Sequence, residues 1–101
     1  MKFGLGNRTK DALNQILGKF EEIEKVSIFG SRAKGTFLTN SDIDLVIEND
    51  ISNSLLARIN AAIIISEIPY KVDLLVFDKI ETEELKNEVL AYKRVFYKKN
   101  N

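Results

Sequence analysis

Gly30-Ser31-Arg32-Ala33-Lys34-Gly35-Thr36-Phe37-Leu38-Thr39-Asn40-Ser41-Asp42-Ile43-Asp44-Leu45 is the stretch whose reading decides the fold. Upstream, Val26-Ser27-Ile28-Phe29 is β-branched and aromatic, which predicts a strand that ends at Gly30. Ser31 suits the cap of a short helical turn through Arg32, Ala33 and Lys34, and Gly35 suits its end with a positive φ. The Gly30 and Ser31 amides would then face outward at a helix start, where N–H groups and the dipole favour an anion. Glycine lets the backbone approach it with no Cβ in the way. Downstream, 42–48 reads as a strand. Its alternation sets Ile43, Leu45 and Ile47 on one face and Asp42, Asp44, Val46 and Glu48 on the other, so two carboxylates project side by side.

Working outward, Ala12, Leu13, Ile16, Leu17 and Phe20 recur at helical spacing and predict an amphipathic helix over 9–21 with Thr9 as its cap. Asp50 to Ser54 is turn-like. Leu55, Leu56, Ile59, Ala62 and Ile63 then mark a second helix, ending before Pro69 and crossing over the sheet. Lys71 to Phe77 is the most apolar strand candidate, yet it carries Asp73 in its interior. An unpaired buried carboxylate is costly, so a cation, a hydrogen-bond set or a solvent-filled cleft is expected beside it. Thr82, with Glu83 and Glu84 in the first turn, opens a third helix with Leu85, Val89 and Leu90 facing inward. Arg94 to Tyr97 reads as a final short strand, with continued helix the alternative, and Lys98 to Asn101 as a frayed polar tail. The pattern predicts an α/β (α+β) fold, a small mixed β-sheet of about four strands with helices mainly on one face and the site at its edge.

Composition narrows the chemistry. The chain has 101 residues, 45 % of them hydrophobic, which suits one domain over 1–101 with a modest core. Lys plus Arg (15) balances Asp plus Glu (15), so no global field draws the chain to nucleic acid or an anionic membrane, and direct nucleic-acid binding is not expected. Neither cysteine nor histidine occurs, which excludes disulfides, a thiol nucleophile, a Cys/His zinc site and imidazole catalysis. Carboxylates remain as strong metal ligands, and all-oxygen donor sets favour Mg²⁺ or Mn²⁺. The start lacks a continuous apolar core and Ala61 to Ile65 is too short to span a bilayer, so a cytoplasmic protein is expected.

Asp42 and Asp44, joined by a third carboxylate, would form a like-charge cluster that calls for a cation. Asp73 is the leading third member; Glu48, Asp50 and Asp78 compete, and Asp73 has an alternative as an ion-pair partner of Lys71 or Arg94. Two ions there would suit in-line displacement at phosphorus, with Gly30 and Ser31 donating to triphosphate oxygens and Arg32 and Lys34 adding charge.

Gly30-Ser31, ten intervening residues, Asp42-Ile43-Asp44, and later Pro69-Tyr70-Lys71-Val72-Asp73-Leu74 together resemble the nucleotidyltransferase superfamily typified by DNA polymerase beta, and closely its minimal nucleotidyltransferase (MNT) branch. The resemblance spans essentially the whole chain. It implies a nucleotide-binding Gly30 and Ser31, metal-binding Asp42 and Asp44, and Asp73 completing the catalytic triad and accepting the nucleophile's proton. It further implies ATP as donor, AMP transfer as reaction, and a separately encoded HEPN-family toxin whose tyrosine is the acceptor, the chain being the antitoxin. The alternatives are a non-catalytic module that masks a HEPN partner, or nucleotidyl transfer to a small molecule. The catalytic reading requires Ser31, Asp42, Asp44 and Asp73 to converge on one cleft; Asp73 on the opposite sheet face would defeat it.

Overall fold

Four strands form one mixed sheet in the computed structural model, which describes residues 2–100. In chain order the elements are α1 (Asn7–Gly18), β1 (Lys25–Phe29), α2 (Gly30–Lys34), β2 (Ile43–Ile47), α3 (Asn53–Ile65), β3 (Val72–Val76), α4 (Glu83–Tyr92) and β4 (Arg94–Lys98). The strand order is β3-β2-β1-β4. β1 pairs antiparallel with β2 and β4, whereas β2 and β3 are parallel, so their connection must cross over, and α3 provides the crossover.

Alternation along the strands divides the sheet into two faces. Ile43, Leu45 and Ile47 are fully buried on one face, with Val26 and Ile28 beside them, under Leu13 and Leu17 of α1 and Ile59 of α3. The two longest helices therefore share this face, as the spacing predicts. The opposite face carries a smaller cluster, in which Phe29 and Val46 lie with Ile80 and with Val89 of α4. Val46 is why α4 sits there, since an apolar residue on the aspartate-bearing face needs a cover.

Several boundaries depart from the sequence reading for local reasons. α1 begins two residues earlier than expected, with Gly6 in the extended cap position and no side-chain cap, so Thr9 lies inside the helix. α3 is capped by Ser52, whose Oγ accepts the Leu55 N–H at 3.1 Å. Leu90 is 56 % exposed, because one residue turns the helix by about 100° from buried Val89. The tail is tied down further than expected. Lys98 belongs to β4, the Lys99 N–H donates to Glu24 O at 2.8 Å, and Lys99 Nζ donates to Glu21 O at 3.0 Å. Asn101 lies outside the described residues. Among the described residues no helix is long and apolar enough to cross a membrane.

Candidate active site

Parallel pairing of β2 and β3 sets Asp44 directly opposite Asp73, with Leu45 opposite Leu74 and Val46 opposite Leu75 on either side of the register. The two aspartates share the face covered in part by α4. Asp42 precedes Asp44 by two residues and is exposed at the entrance to β2. The Asp44 carboxyl is held above its ordinary value, first by burial, then by the negative charges of Asp73 and Asp42 and a hydrogen bond with Asp73; Lys71 acts in the opposite sense. Like charges in register destabilise a bare sheet.

Gly30 packs against Asp44. Its φ is +70°, and a Cβ added there would collide with Asp44 Oδ2 and lie 3.2 Å from Asp44 Cγ. Glycine is favoured here by its conformation, and a Cβ would be accommodated only by displacing the Asp44 carboxylate. α2 then starts at Gly30, with extended Phe29 as its cap, so Ser31 is not the cap expected of it. The Ser31 carbonyl accepts instead from Gly35 N–H at 2.9 Å and Thr36 N–H at 3.0 Å, and Gly35 ends the turn at φ +84°. A cleft of about 400 Å³ opens along the edge of β3, with Phe29, Asp44, Asp73, Leu75 and Leu85 in its lining.

The two basic residues of the loop are placed differently from the expectation that they add charge for a triphosphate. Arg32 is 2 % exposed. Its Nη1 donates to Phe3 O at 3.0 Å, its Nη2 to Ser41 O at 2.8 Å and Thr39 O at 3.3 Å, and its Nε to Ser41 O at 3.2 Å. Those donors serve the fold, so a nucleotide-binding role for Arg32 would require breaking them. Lys34 pairs with Glu88 and lies over the Tyr92 ring at 4.6 Å, so it is held by α4.

The rival third carboxylates go elsewhere. Glu48 accepts from Lys93 Nζ at 2.6 Å and from the Ser27 hydroxyl, with Lys25 Nζ at 3.9 Å. Burial pushes its carboxyl up, but those hydrogen bonds and the two lysine charges outweigh burial and hold it below the ordinary value. Asp50 and Asp78 are exposed in the segments after β2 and β3. Asp73 does meet Lys71, at 3.7 Å, but Lys71 is largely exposed and Asp73 partly so, and such a pair contributes little. The cleft walls Phe29, Leu75 and Leu85 escaped sequence reasoning, because only tertiary pairing sets β1, β3 and α4 around one acid pair.

Three clustered carboxylates and no nitrogen or sulfur ligand are the donor chemistry of a hard divalent cation. Among the described residues no three His, Cys, Asp or Glu side chains are close enough together to hold a metal ion as they stand. The residues nonetheless fit such an ion, since Asp44 is held among like charges that a cation would relieve.

A mixed sheet that sets paired carboxylates beside a Gly-Ser turn is the arrangement of an enzyme of nucleotidyl transfer. The family model described as "Polymerase beta, Nucleotidyltransferase" matches residues 11–101, and the chain belongs to that family of nucleotidyltransferases. Among solved structures, the chain is similar to a toxin–antitoxin crystal structure with AMP-PNP, at TM-score 0.69 and 22 % identity over 89 % of this chain and 73 % of that one. It is similar to the toxin–antitoxin MntA-HepT at TM-score 0.65 and 18 % identity, over 93 % and 74 %. A Sulfolobus solfataricus protein assigned to the nucleotidyltransferases follows at TM-score 0.54 and 27 % identity, over 88 % and 76 %. No curated protein sequence matches the chain.

Proposed function

We propose that residues 1–101 act as one minimal nucleotidyltransferase domain that transfers AMP from ATP to a hydroxyl, the acceptor being a tyrosine of a separately encoded HEPN-family toxin. The observation that carries this is the register that sets Asp44 against Asp73, with Gly30 packed on the Asp44 carboxylate. The likeness to a toxin–antitoxin structure with AMP-PNP and to MntA-HepT supports the donor and the partner class. We assign cytoplasmic action, where ATP is at hand and a chain with no cysteine needs no oxidising environment.

In this reading Asp42, Asp44 and Asp73 would hold two Mg²⁺ ions, or Mn²⁺ in their place, and the bound metal would supply neutralisation of triphosphate charge and activation of the attacking hydroxyl. The Gly30 and Ser31 amides receive phosphate oxygens, and Gly30 lets the nucleotide lie close to the backbone. The acceptor oxygen attacks the α-phosphorus, the bond to the bridging oxygen of the β-phosphate breaks, and pyrophosphate departs. Asp73 takes the acceptor's proton. Phe29, Leu75 and Leu85 form an apolar wall that limits water at the reacting centre. Lys34 reaches the phosphates only by leaving Glu88.

The test is to incubate the chain with α-labelled ATP, Mg²⁺ and the partner, beside Asp42→Asn and Asp44→Asn. Label on the partner's tyrosine with wild type alone is the expected result, and equal labelling by all three proteins would end the catalytic reading. Neutralisation of the toxin by Asp42→Asn/Asp44→Asn as effective as by wild type would make masking the better account.

A further inference from the structure

We infer that Arg32 is a positioning residue that fixes Asp42 by holding the Ser41 carbonyl before it and by stacking on Tyr70, the residue next to the Lys71 carbonyl that anchors Ile43 after it. This rests on the proposed role of Asp42 as a metal ligand. On the N-terminal side, Ser41 is tied at three points. Its carbonyl accepts from Arg32 Nη2 and Nε, its N–H donates to Leu38 O at 3.1 Å, and its hydroxyl accepts the Leu38 N–H at 2.8 Å. On the C-terminal side, the Ile43 N–H donates to Lys71 O at 2.9 Å. Tyr70, the residue before Lys71, lies on one guanidinium contact at 4.9 Å, and Phe37 gives a second ring at 5.2 Å. The one cation thus holds the Ser41 anchor directly and stacks on the residue that precedes the Lys71 anchor, with exposed Asp42 between the two.

The N-terminal segment completes the clamp. Phe3 accepts from Arg32 Nη1, and it holds φ +60°, a left-handed conformation unusual for a bulky residue. Such a conformation persists where its surroundings over-determine it. Here the Phe3 side chain is buried and Gly4 lies so close to the Phe37 ring that a Cβ would collide with it. The guanidinium charge is met by carbonyl dipoles and aromatic faces, a set that only a planar fork of donors satisfies. An ammonium at this position has a single charged centre and no plane to stack, so the Ser41 carbonyl and the Tyr70 ring cannot both be held.

Arg32→Lys tests this on the full chain, without partner or turnover. Mn²⁺ binding followed by electron paramagnetic resonance should weaken about tenfold or more, the usual effect of losing a residue that orients a metal ligand. Amide exchange at Leu38 and Ser41 should quicken about tenfold or more while β1 and α3 stay protected. Ile59→Val, a cavity variant in the core under α3 with no contact to Arg32 in its hydrogen bonds or ring stacking, is the control: it should lower the melting temperature and leave Mn²⁺ affinity and loop exchange unchanged. Wild-type affinity and wild-type loop exchange in Arg32→Lys would overturn the inference, as would an equal loss of affinity in Ile59→Val. If wild type binds no Mn²⁺, the metal-ligand reading falls by itself and the exchange result decides Arg32. Should Arg32→Lys not fold, Tyr70→Leu keeps every guanidinium hydrogen bond and removes one ring. It should bind Mn²⁺ about threefold more weakly, as one cation–π contact predicts, and unchanged affinity would overturn the inference.

Discussion

Substituting Gly30 by alanine separates two demands that the position meets at once. The first is conformational: at φ +70° an alanine is strained by about 1–2 kcal/mol. The second is spatial, because the new Cβ occupies the place of Asp44 Oδ2. A carboxylate end is movable, whereas Asp44 Cγ and Cβ at 3.2 and 3.4 Å stand at ordinary or slightly tight contact, so the carboxylate rotates away and the backbone stays. Stability should therefore fall by little more than the strain, a drop in melting temperature of roughly 4–16 °C for a domain of this size. Nucleotidyl transfer should fall about 100-fold, the scale of a misplaced reacting group. Gly35→Ala is the matched control, with φ +84° and nothing within 4 Å of its added Cβ. It should lose similar stability and keep its transfer activity. Thermal melts and label transfer from ATP on both variants measure the two effects separately. Equal loss of activity in Gly30→Ala and Gly35→Ala would refute the reasoning, because the space beside Asp44 would then not matter.

Asp44→Asn should abolish transfer yet raise the melting temperature in metal-free buffer, since burial and the neighbouring Asp73 and Asp42 already disfavour the charged carboxylate; a lowered melting temperature would contradict that. Glu48→Gln should destabilise the fold by about 1–2 kcal/mol at neutral pH by removing the acceptor of Lys93. Because the folded Glu48 lies below its ordinary 4.5, the stability it adds is complete above that value and is lost as pH falls through the depressed one. The difference between wild type and Glu48→Gln, read by denaturant unfolding, should hold from pH 5 to 8 on the order of its neutral value and shrink towards pH 3; a constant difference at pH 3 would refute it. Ser52→Ala removes the cap of α3 and should lower stability by about 1 kcal/mol with transfer unchanged, as thermal melts and the labelling assay will show.

Those parts of the fold that depend on short-range periodicity were legible in the sequence. Ile43, Leu45 and Ile47 alternate with Asp42 and Asp44, and that alone assigns the buried and acidic faces of β2. The parallel register of Asp44 with Asp73 was not legible, since α3 separates the two strands and nothing local counts residues across a crossover. Arg32 shows the limit most clearly. Its position between two glycines of a polar loop reads as a solvated or phosphate-facing charge. What buries it is the meeting of Phe3, Phe37 and Tyr70, which are distant from one another along the chain. The pairing of Lys34 is hidden from the sequence for a similar reason, because Glu88 reaches it only once Val46 has drawn α4 onto the aspartate-bearing face.

Two acids placed side by side on neighbouring strands oppose pairing, so the stability of β2 and β3 must come from the other face of the same strands. Ile43, Leu45 and Ile47 provide it, opposite Val72, Leu74 and Val76. A slip of one residue in either strand would turn its aspartate into the apolar layer and its apolar side chains out of it. Only the observed register, or one displaced by two residues, keeps both strands correctly faced. A displacement by two would set Asp44 opposite Leu75 or opposite Lys71, the residue whose carbonyl already receives the Ile43 N–H. The hydrogen bond that fixes the entrance of β2 therefore also selects Asp73 as the partner of Asp44. Alternation in the core and one anchor at Lys71 are enough to align the acids, with no attraction between them required.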